Sequence, residues 1–228
     1  MTDQFKLFLR NYWNYYRELE DELIQTKRYV EFTEKNFKTF SVEYLKLYQA
    51  VCSEIDVLGK ALASEENVNF KPDDRQNNIY KWWYEIQNLT IENDDKPAHY
   101  IHLHEYECSF MDEYRITPWS DFEIVKAPDV NGRIRYNLAP GKTVPKWWSS
   151  YNAVKHNRTL VPKNAGEINY ARANLGNLMK AYAGLYVLEL LKMQKSGNKN
   201  DREAFADFSR LFVQIRAITT EEIDALFR

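Results

Sequence analysis

Apolar positions recur at three- and four-residue steps along two long segments near the start of the chain. Before Val30 the series is Phe5, Phe8, Leu9, Tyr12, Tyr15, Tyr16, Leu19 and Leu23. After Ser41 it is Val42, Leu45, Tyr48, Val51, Cys52, Ile55, Leu58 and Leu62. Such steps place side chains on one face of an α-helix, and Ser41 is a suitable N-cap for the second one. The pattern predicts an antiparallel pair of long helices between Thr2 and about Ser64.

The periodic pattern is lost between Glu65 and Pro145. This stretch holds six of the seven prolines and several turn clusters. A short helix is predicted over Ile79 to Leu89, and Asn131-Gly132 is the strongest hairpin signal of the chain. We therefore interpret residues 65–145 as an irregular loop-and-strand insertion within a single domain that spans residues 1–228.

The remainder of the chain returns to a helical pattern. Pro145 suits the first turn of a helix that runs to about His156. Ile168 to Gln194 predicts a long, apolar and therefore central helix. Capping-box patterns at Asn200 and Thr219 predict two short terminal helices. The expected fold class is mainly α, an antiparallel helical bundle with a β-containing insertion.

Composition narrows the functional classes. The net charge of −2 lacks the basic excess of a protein that binds long duplex DNA. Cys52 and Cys108 form no CxxC pattern, which favours a reducing compartment over a disulfide framework. No signal peptide or membrane-spanning run is present, so a cytoplasmic protein without membrane contact is expected. The few glycines form no phosphate-binding loop.

The first candidate for chemistry lies near the end of the helix predicted after Pro145. Asn152 and His156 are four residues apart and therefore share a helix face. Lys155 and Arg158 add positive charge beside them. An amide, an imidazole and two cations suit a phosphate ligand and proton transfer. The alternative is a capped helix end, in which the cations face the negative end of the helix dipole.

The second candidate lies on the helix predicted after Ser41. Asp56 and Lys60 are spaced as an acidic-then-basic helix pair, and Glu54 precedes them. Charges within a packed helix are costly unless they are paired. The three residues therefore predict either a polar cleft or an ordinary solvated flank.

A third candidate would be a metal site. On an extended strand His102 and His104 share one face, and Cys108 follows. The alternative is a polar strand face, because neither HExxH nor paired CxxC motifs accompany these residues. No metal or cofactor is predicted.

The segment from Trp147 to Arg158, WWSSYNAVKHNR, together with the Ala/Leu-rich helix after it, resembles the HEPN superfamily of small helical bundles. Asn152 and His156 match the polar residue and the histidine of the family motif, whereas Tyr151 stands where the family has an arginine. Asp56 and Lys60 resemble an acidic residue and a lysine that some HEPN families carry on an earlier helix. The resemblance covers the two helical parts and leaves residues 65–145 unexplained.

This resemblance implies a metal-independent endoribonuclease of a toxin–antitoxin or antiviral-defence type, with RNA as substrate, a homodimeric site, and an antitoxin or other protein as partner. It assigns acid/base catalysis to His156, with Asn152 and Tyr151 beside it. The residues expected to bind substrate are Lys155, Arg158, Asp56, Lys60 and Glu54. Because tyrosine carries no positive charge at neutral pH, the alternative is a catalytically silent HEPN-like module that binds RNA, a nucleotide or a partner protein.

Overall fold

The structure of the chain, a computed structural model, describes residues 1–93, 96–111, 113–163 and 166–216, with side chains described outside 91–100 and 215–216. Its α-helices are α1 (Asp3–Phe8), α2 (Asn14–Thr26), α3 (Val42–Glu66), α4 (Ile79–Ile86), α5 (Lys146–Asn157), α6 (Leu175–Ser196) and α7 (Lys199–Glu203). Its strands are β1 (Asn88–Asn93), β2 (Lys96–His102), β3 (Glu107–Phe110), β4 (Tyr114–Ile116), β5 (Ile124–Pro128), β6 (Ile134–Leu138) and β7 (Phe212–Arg216). The described part is therefore mainly α, as predicted.

Both helices predicted near the start of the chain are present. A π-helical turn, Leu9–Trp13, joins α1 to α2 without a break, and α2 packs against α3. The Ser41 side chain accepts a hydrogen bond from the Tyr44 amide at 3.1 Å, which confirms the predicted N-cap of α3. The apolar stripes of these helices form much of the core.

The most buried helix is α6, which packs against α3, α5 and α1. It begins seven residues later than predicted, at Leu175, because the preceding Asn169–Arg172 segment forms a 3₁₀ turn. The Asn174 side chain then caps α6 by accepting from the Asn177 amide at 3.0 Å. The predicted start at Ile168 is therefore wrong.

The region between Glu65 and Pro145 contributes to the main core. Trp83 and Trp119 stack with ring centroids 4.5 Å apart, and Trp147 of α5 meets Trp119 edge-on at 5.0 Å. Gly184 of α6 gives these rings room, since a Cβ there would lie 3.2 Å from Trp147 and 3.3 Å from Trp119. The indole of Trp119 donates to the Gly184 carbonyl at 3.2 Å. The interpreted insertion is thus packed into the domain.

Small antiparallel sheets flank the helices, in the orders β1-β2, β4-β3-β7 and β5-β6. The hairpin predicted at Asn131-Gly132 is confirmed by β5 and β6, and Gly132 adopts a positive φ of 74° in the turn. Strand β7 contradicts the expectation of helix alone after Pro145, because Phe212 pairs with Phe110 of β3.

The short helix near the C-terminal end begins earlier than predicted. Asn198 caps α7 in a capping box with Asp201, two residues before the predicted cap at Asn200. The helix predicted at Thr219 lies outside the described residues. No helix in the described ranges is both long and apolar enough to cross a membrane.

Candidate functional site

Helix α5 is held against α3 by aromatic contacts. The Tyr48 hydroxyl of α3 donates a hydrogen bond to the Trp147 carbonyl, and the rings of Tyr48 and Tyr151 meet edge-on at 6.0 Å. Trp148 packs on Tyr151 with ring centroids 5.3 Å apart. These contacts fix which face of α5 turns toward α3.

An open cavity of about 370 Å³ lies between α3, α5 and the start of α4. We call it the α3–α5 cavity. Asp56, Tyr151, Asn152 and Lys155 all line it, so the structure brings together four of the eight predicted site residues. Its remaining wall consists of Ser53, Val57, Asn77, Asn78, Ile79, Tyr80 and Trp148.

Asp56 is already engaged on both carboxylate oxygens. Lys60 Nζ donates to Oδ2 at 2.5 Å, and Trp82 Nε1 donates to Oδ1 at 3.1 Å. This ion pair is the predicted one, and it is partly shielded from water because Lys60 is 24% and Asp56 35% exposed. The pair therefore forms part of the cavity wall and adds almost no net charge to it.

Lys155 supplies the uncompensated charge of the cavity. Its Nζ lies 5.4 Å from the centroid of the Tyr151 ring, and within the described ranges it forms no ion pair. Burial, together with the smaller effects of Cys52 and Asp56, raises the pKa of Tyr151 to about 12. Tyr151 is therefore a neutral hydroxyl at physiological pH. The cavity offers one ammonium, one neutral phenol and the half-buried amide of Asn152.

The other predicted site residues lie elsewhere. His156 is exposed one helical turn beyond Asn152, outside the residues that line the cavity, and Arg158 is the exposed C-cap of α5. Lys60 touches the cavity only through its ion pair with Asp56. The structure thus does not gather all eight residues in one site.

Glu54 faces the interior, near Tyr12 and Glu189. Burial raises the pKa of Glu54. It also raises the pKa of Glu189 well above the ordinary range, and nearby Glu54 adds to that effect. Glu189 is fully buried, and neither of its carboxylate oxygens has a hydrogen-bond partner in the described part of the chain. These acids form an interior pair, apart from the α3–α5 cavity.

The metal alternative finds no geometric support. A 3₁₀ turn, Leu103–Glu105, interrupts the expected strand, although the rings of His102 and His104 remain 5.5 Å apart. Cys108 is buried, its thiol points to the Ile116 carbonyl at 3.6 Å, and burial raises its pKa to about 12. Over the described ranges, no three His, Cys, Asp or Glu side chains are grouped as metal ligands.

No family model, curated protein or solved structure matches this chain. The HEPN resemblance consequently stays a prediction that rests on the Trp147 to Arg158 segment and on the Asp56–Lys60 pair. The function of the protein is therefore argued from the side chains that line the α3–α5 cavity.

Sequence reasoning missed the cavity wall that precedes α4. The Asn78 side chain caps α4 by accepting from the amides of Tyr80 and Lys81 at 3.0 and 3.3 Å. The signal was the Asn77-Asn78 pair in front of an apolar run, which is an N-cap pattern. Capping fixes the segment locally, but its approach to α5 depends on long-range packing.

Proposed function

We propose that this protein binds single-stranded RNA and that the α3–α5 cavity accepts one nucleotide of it. The observation that carries the proposal is the meeting of Lys155, which has no acidic partner among the described residues, with the amide of Asn152 in one cavity. An ammonium pairs with a phosphate, and an amide hydrogen-bonds to a base edge. This occurs in a chain whose net charge is −2, so the positive group is local.

Aromatic side chains in the cavity wall support a nucleotide over a simple anion. Tyr80, Trp148 and Tyr151 all line the cavity. Unstacked bases of single-stranded RNA stack on such rings, with roughly 1–3 kcal/mol per base. The volume of about 370 Å³ falls in the size range of small-ligand sites. A free inorganic anion would gain nothing from these rings.

A second candidate function is cleavage of the bound RNA. It is favoured by the position of His156, which is exposed on α5 four residues beyond Asn152 and so follows it along the same face. In this form of the proposal the 2′-OH attacks the adjacent phosphorus and His156 takes its proton. The 5′ oxygen leaves with a proton from His156 of a second copy of the chain, which yields a cyclic phosphate and a 5′-OH without metal.

The binding proposal is tested by fluorescence anisotropy with a labelled octauridylate in buffer containing EDTA. Lys155→Ala should weaken binding at least tenfold, because a charge-assisted contact contributes roughly 1.5–3 kcal/mol. Lys6→Ala is the matched control, since Lys6 is an exposed helical lysine on α1, outside the cavity. Equal affinity of Lys155→Ala and the wild type would refute the assigned site.

The cleavage proposal is tested on the same RNA by gel electrophoresis. His156→Ala should abolish product while leaving binding within about twofold, and Asn157→Ala, which removes an exposed neighbouring side chain, should cleave normally. Wild-type protein that binds the RNA but leaves it intact would instead identify a binding module. Cleavage that persists in His156→Ala would remove the histidine from the mechanism.

A further inference from the structure

A second cavity, of about 510 Å³, adjoins the first. It lies between the 67–78 loop, the first turns of α4 and strand β6, and we call it the α4–β6 cavity. Asn77, Asn78 and Tyr80 line both cavities, so the two share one short stretch of wall. A ligand that extends across this stretch would occupy both.

The charged side chains of the α4–β6 cavity that lack an ion-pair partner among the described residues are mostly positive. Lys71 and Lys81 line it, and within the described ranges neither forms an ion pair. Arg135 is a third cation in the wall, held at 3.0 Å by Asp129. Lys155, in the α3–α5 cavity on the other side of the shared stretch, is also positively charged. Three unpaired ammonium groups therefore follow one another around the start of α4.

The acidic groups of this cavity are mostly engaged. Glu85 accepts from Lys126 Nζ at 3.3 Å and from Asn67 Nδ2 at 3.1 Å. Asp74 uses one oxygen to accept from the Gln76 amide at 2.8 Å within a turn. Because Glu85 is paired with Lys126, Asp74 is the one acid without a cationic partner among the described residues that line the two cavities.

Aromatic rings accompany the cations in this cavity as well. Phe70, Tyr80 and Tyr136 are half-buried in its wall. Tyr136 is held edge-on to Tyr84 with ring centroids 5.6 Å apart, so its orientation is fixed by packing. Alternation of ammonium groups and aromatic rings is the pattern with which proteins bind single-stranded nucleic acid.

We propose that the two cavities form one continuous groove for a single strand of RNA, with a nucleotide in each cavity and the sugar–phosphate backbone crossing the shared Asn77–Tyr80 stretch. This inference rests on the proposed RNA binding and assigns its second subsite to residues 67–81 and β6. It gives the middle region of the chain a direct role in the ligand contact. Duplex RNA is excluded as the ligand, because its stacked bases cannot reach the rings.

The groove is tested by measuring affinity against ligand length. Uridine monophosphate and uridylate oligomers of two, four and eight nucleotides are titrated into the full chain. Affinity should rise at least tenfold from the monophosphate to the octamer. Three phosphate contacts, at Lys155, Lys71 and Lys81, should give a slope of about −2 in the logarithm of affinity against the logarithm of salt concentration.

A double variant, Lys71→Ala with Lys81→Ala, isolates the second subsite. It should weaken octamer binding at least fivefold, bring the salt slope to about −0.7, and leave monophosphate binding unchanged. Lys6→Ala is again the control for loss of one positive charge. Circular dichroism confirms that each variant is folded.

The outcomes separate this inference from the proposal on which it rests. Monophosphate binding that depends on Lys155 without any gain from length would overturn the groove and leave the first cavity in place. Equal weakening of monophosphate and octamer by the double variant would also overturn it. Failure of every ligand to bind would overturn the RNA proposal itself.

Discussion

Replacement of Glu189 by glutamine should make the stability of the protein less dependent on pH. Glu189 lies fully buried in α6 without a hydrogen bond to either oxygen from the described residues. Burial, and then the nearby Glu54, raise its pKa well above the ordinary value, while Lys192 lowers it. The folded protein consequently holds this side chain as a neutral acid under conditions in which the unfolded chain ionises it.

The sign and size of the effect follow from proton linkage. Below about pH 4 the side chain is protonated in both the folded and the unfolded state, so it does not change the free energy of unfolding. As the pH rises, the unfolded state releases its proton first, so the free energy of unfolding falls. The slope is at most about 1.4 kcal/mol per pH unit, and it ends once the pH passes the folded-state pKa. Glutamine cannot ionise, so Glu189→Gln should gain up to about 3 kcal/mol over the wild type between pH 5 and pH 7.

Urea unfolding followed by tryptophan fluorescence at pH 5, 6, 7 and 8 measures this difference. Glu18→Gln, at an exposed position of α2, is the matched control and should stay within about 0.5 kcal/mol of the wild type at every pH. Glu54 is present in all three proteins, and because it acts on Glu189, the difference between the Glu189→Gln and wild-type curves includes the coupling of the two acids. Parallel curves for Glu189→Gln and the wild type would show that Glu189 is charged in the folded state and would refute the reasoning.

Two further predictions concern the core. Gly59→Ala should destabilise the protein by about 1–3 kcal/mol in urea unfolding, because the new Cβ would lie 2.6 Å from the Trp82 ring. This loss should exceed the gain from the higher helix propensity of alanine. Unchanged stability would mean that the indole can move. Cys52 and Cys108 are buried, and burial raises the pKa of both thiols. Neither should react with a disulfide reagent at pH 8 until the protein is unfolded, and fast labelling of the folded chain would contradict their placement.

Local patterns in the sequence were sufficient for the elements that local interactions form. The three- and four-residue apolar steps and the Ser41 cap predicted α3 at its correct start, and Asn131-Gly132 predicted the hairpin of β5 and β6. Strand β7 was missed because its partner, β3, lies about a hundred residues earlier in the chain. The start of α6 was missed because apolar spacing continues through the 3₁₀ turn, and only the Asn174 cap separates the two.

The candidate site was predictable in part for the same reason. Asp56 and Lys60 share one helix face, as do Asn152 and His156. Four-residue helical spacing predicts both pairs. That Asp56 and Asn152 line one cavity follows from the packing of α3 on α5, which spacing along the sequence does not predict. The contribution of the Asn77–Tyr80 stretch depends on where the middle region folds back. Spacing within one helix cannot distinguish a residue in a cavity wall, such as Asn152, from an exposed one beyond it, such as His156.

The indole cluster has a consequence for how the chain reaches its fold and for how it can be cut. Trp119 and Trp147 meet at Gly184 of α6, and Trp83 stacks on Trp119, so the cluster joins separate parts of the chain. Contacts between residues so far apart require large loops to close before they yield stabilisation, which slows folding. A chain shortened by removal of residues 65–145 would leave the faces of α3, α5 and α6 bare to solvent. Unfolding should therefore be a single cooperative event, with no separable fragment protected from proteases.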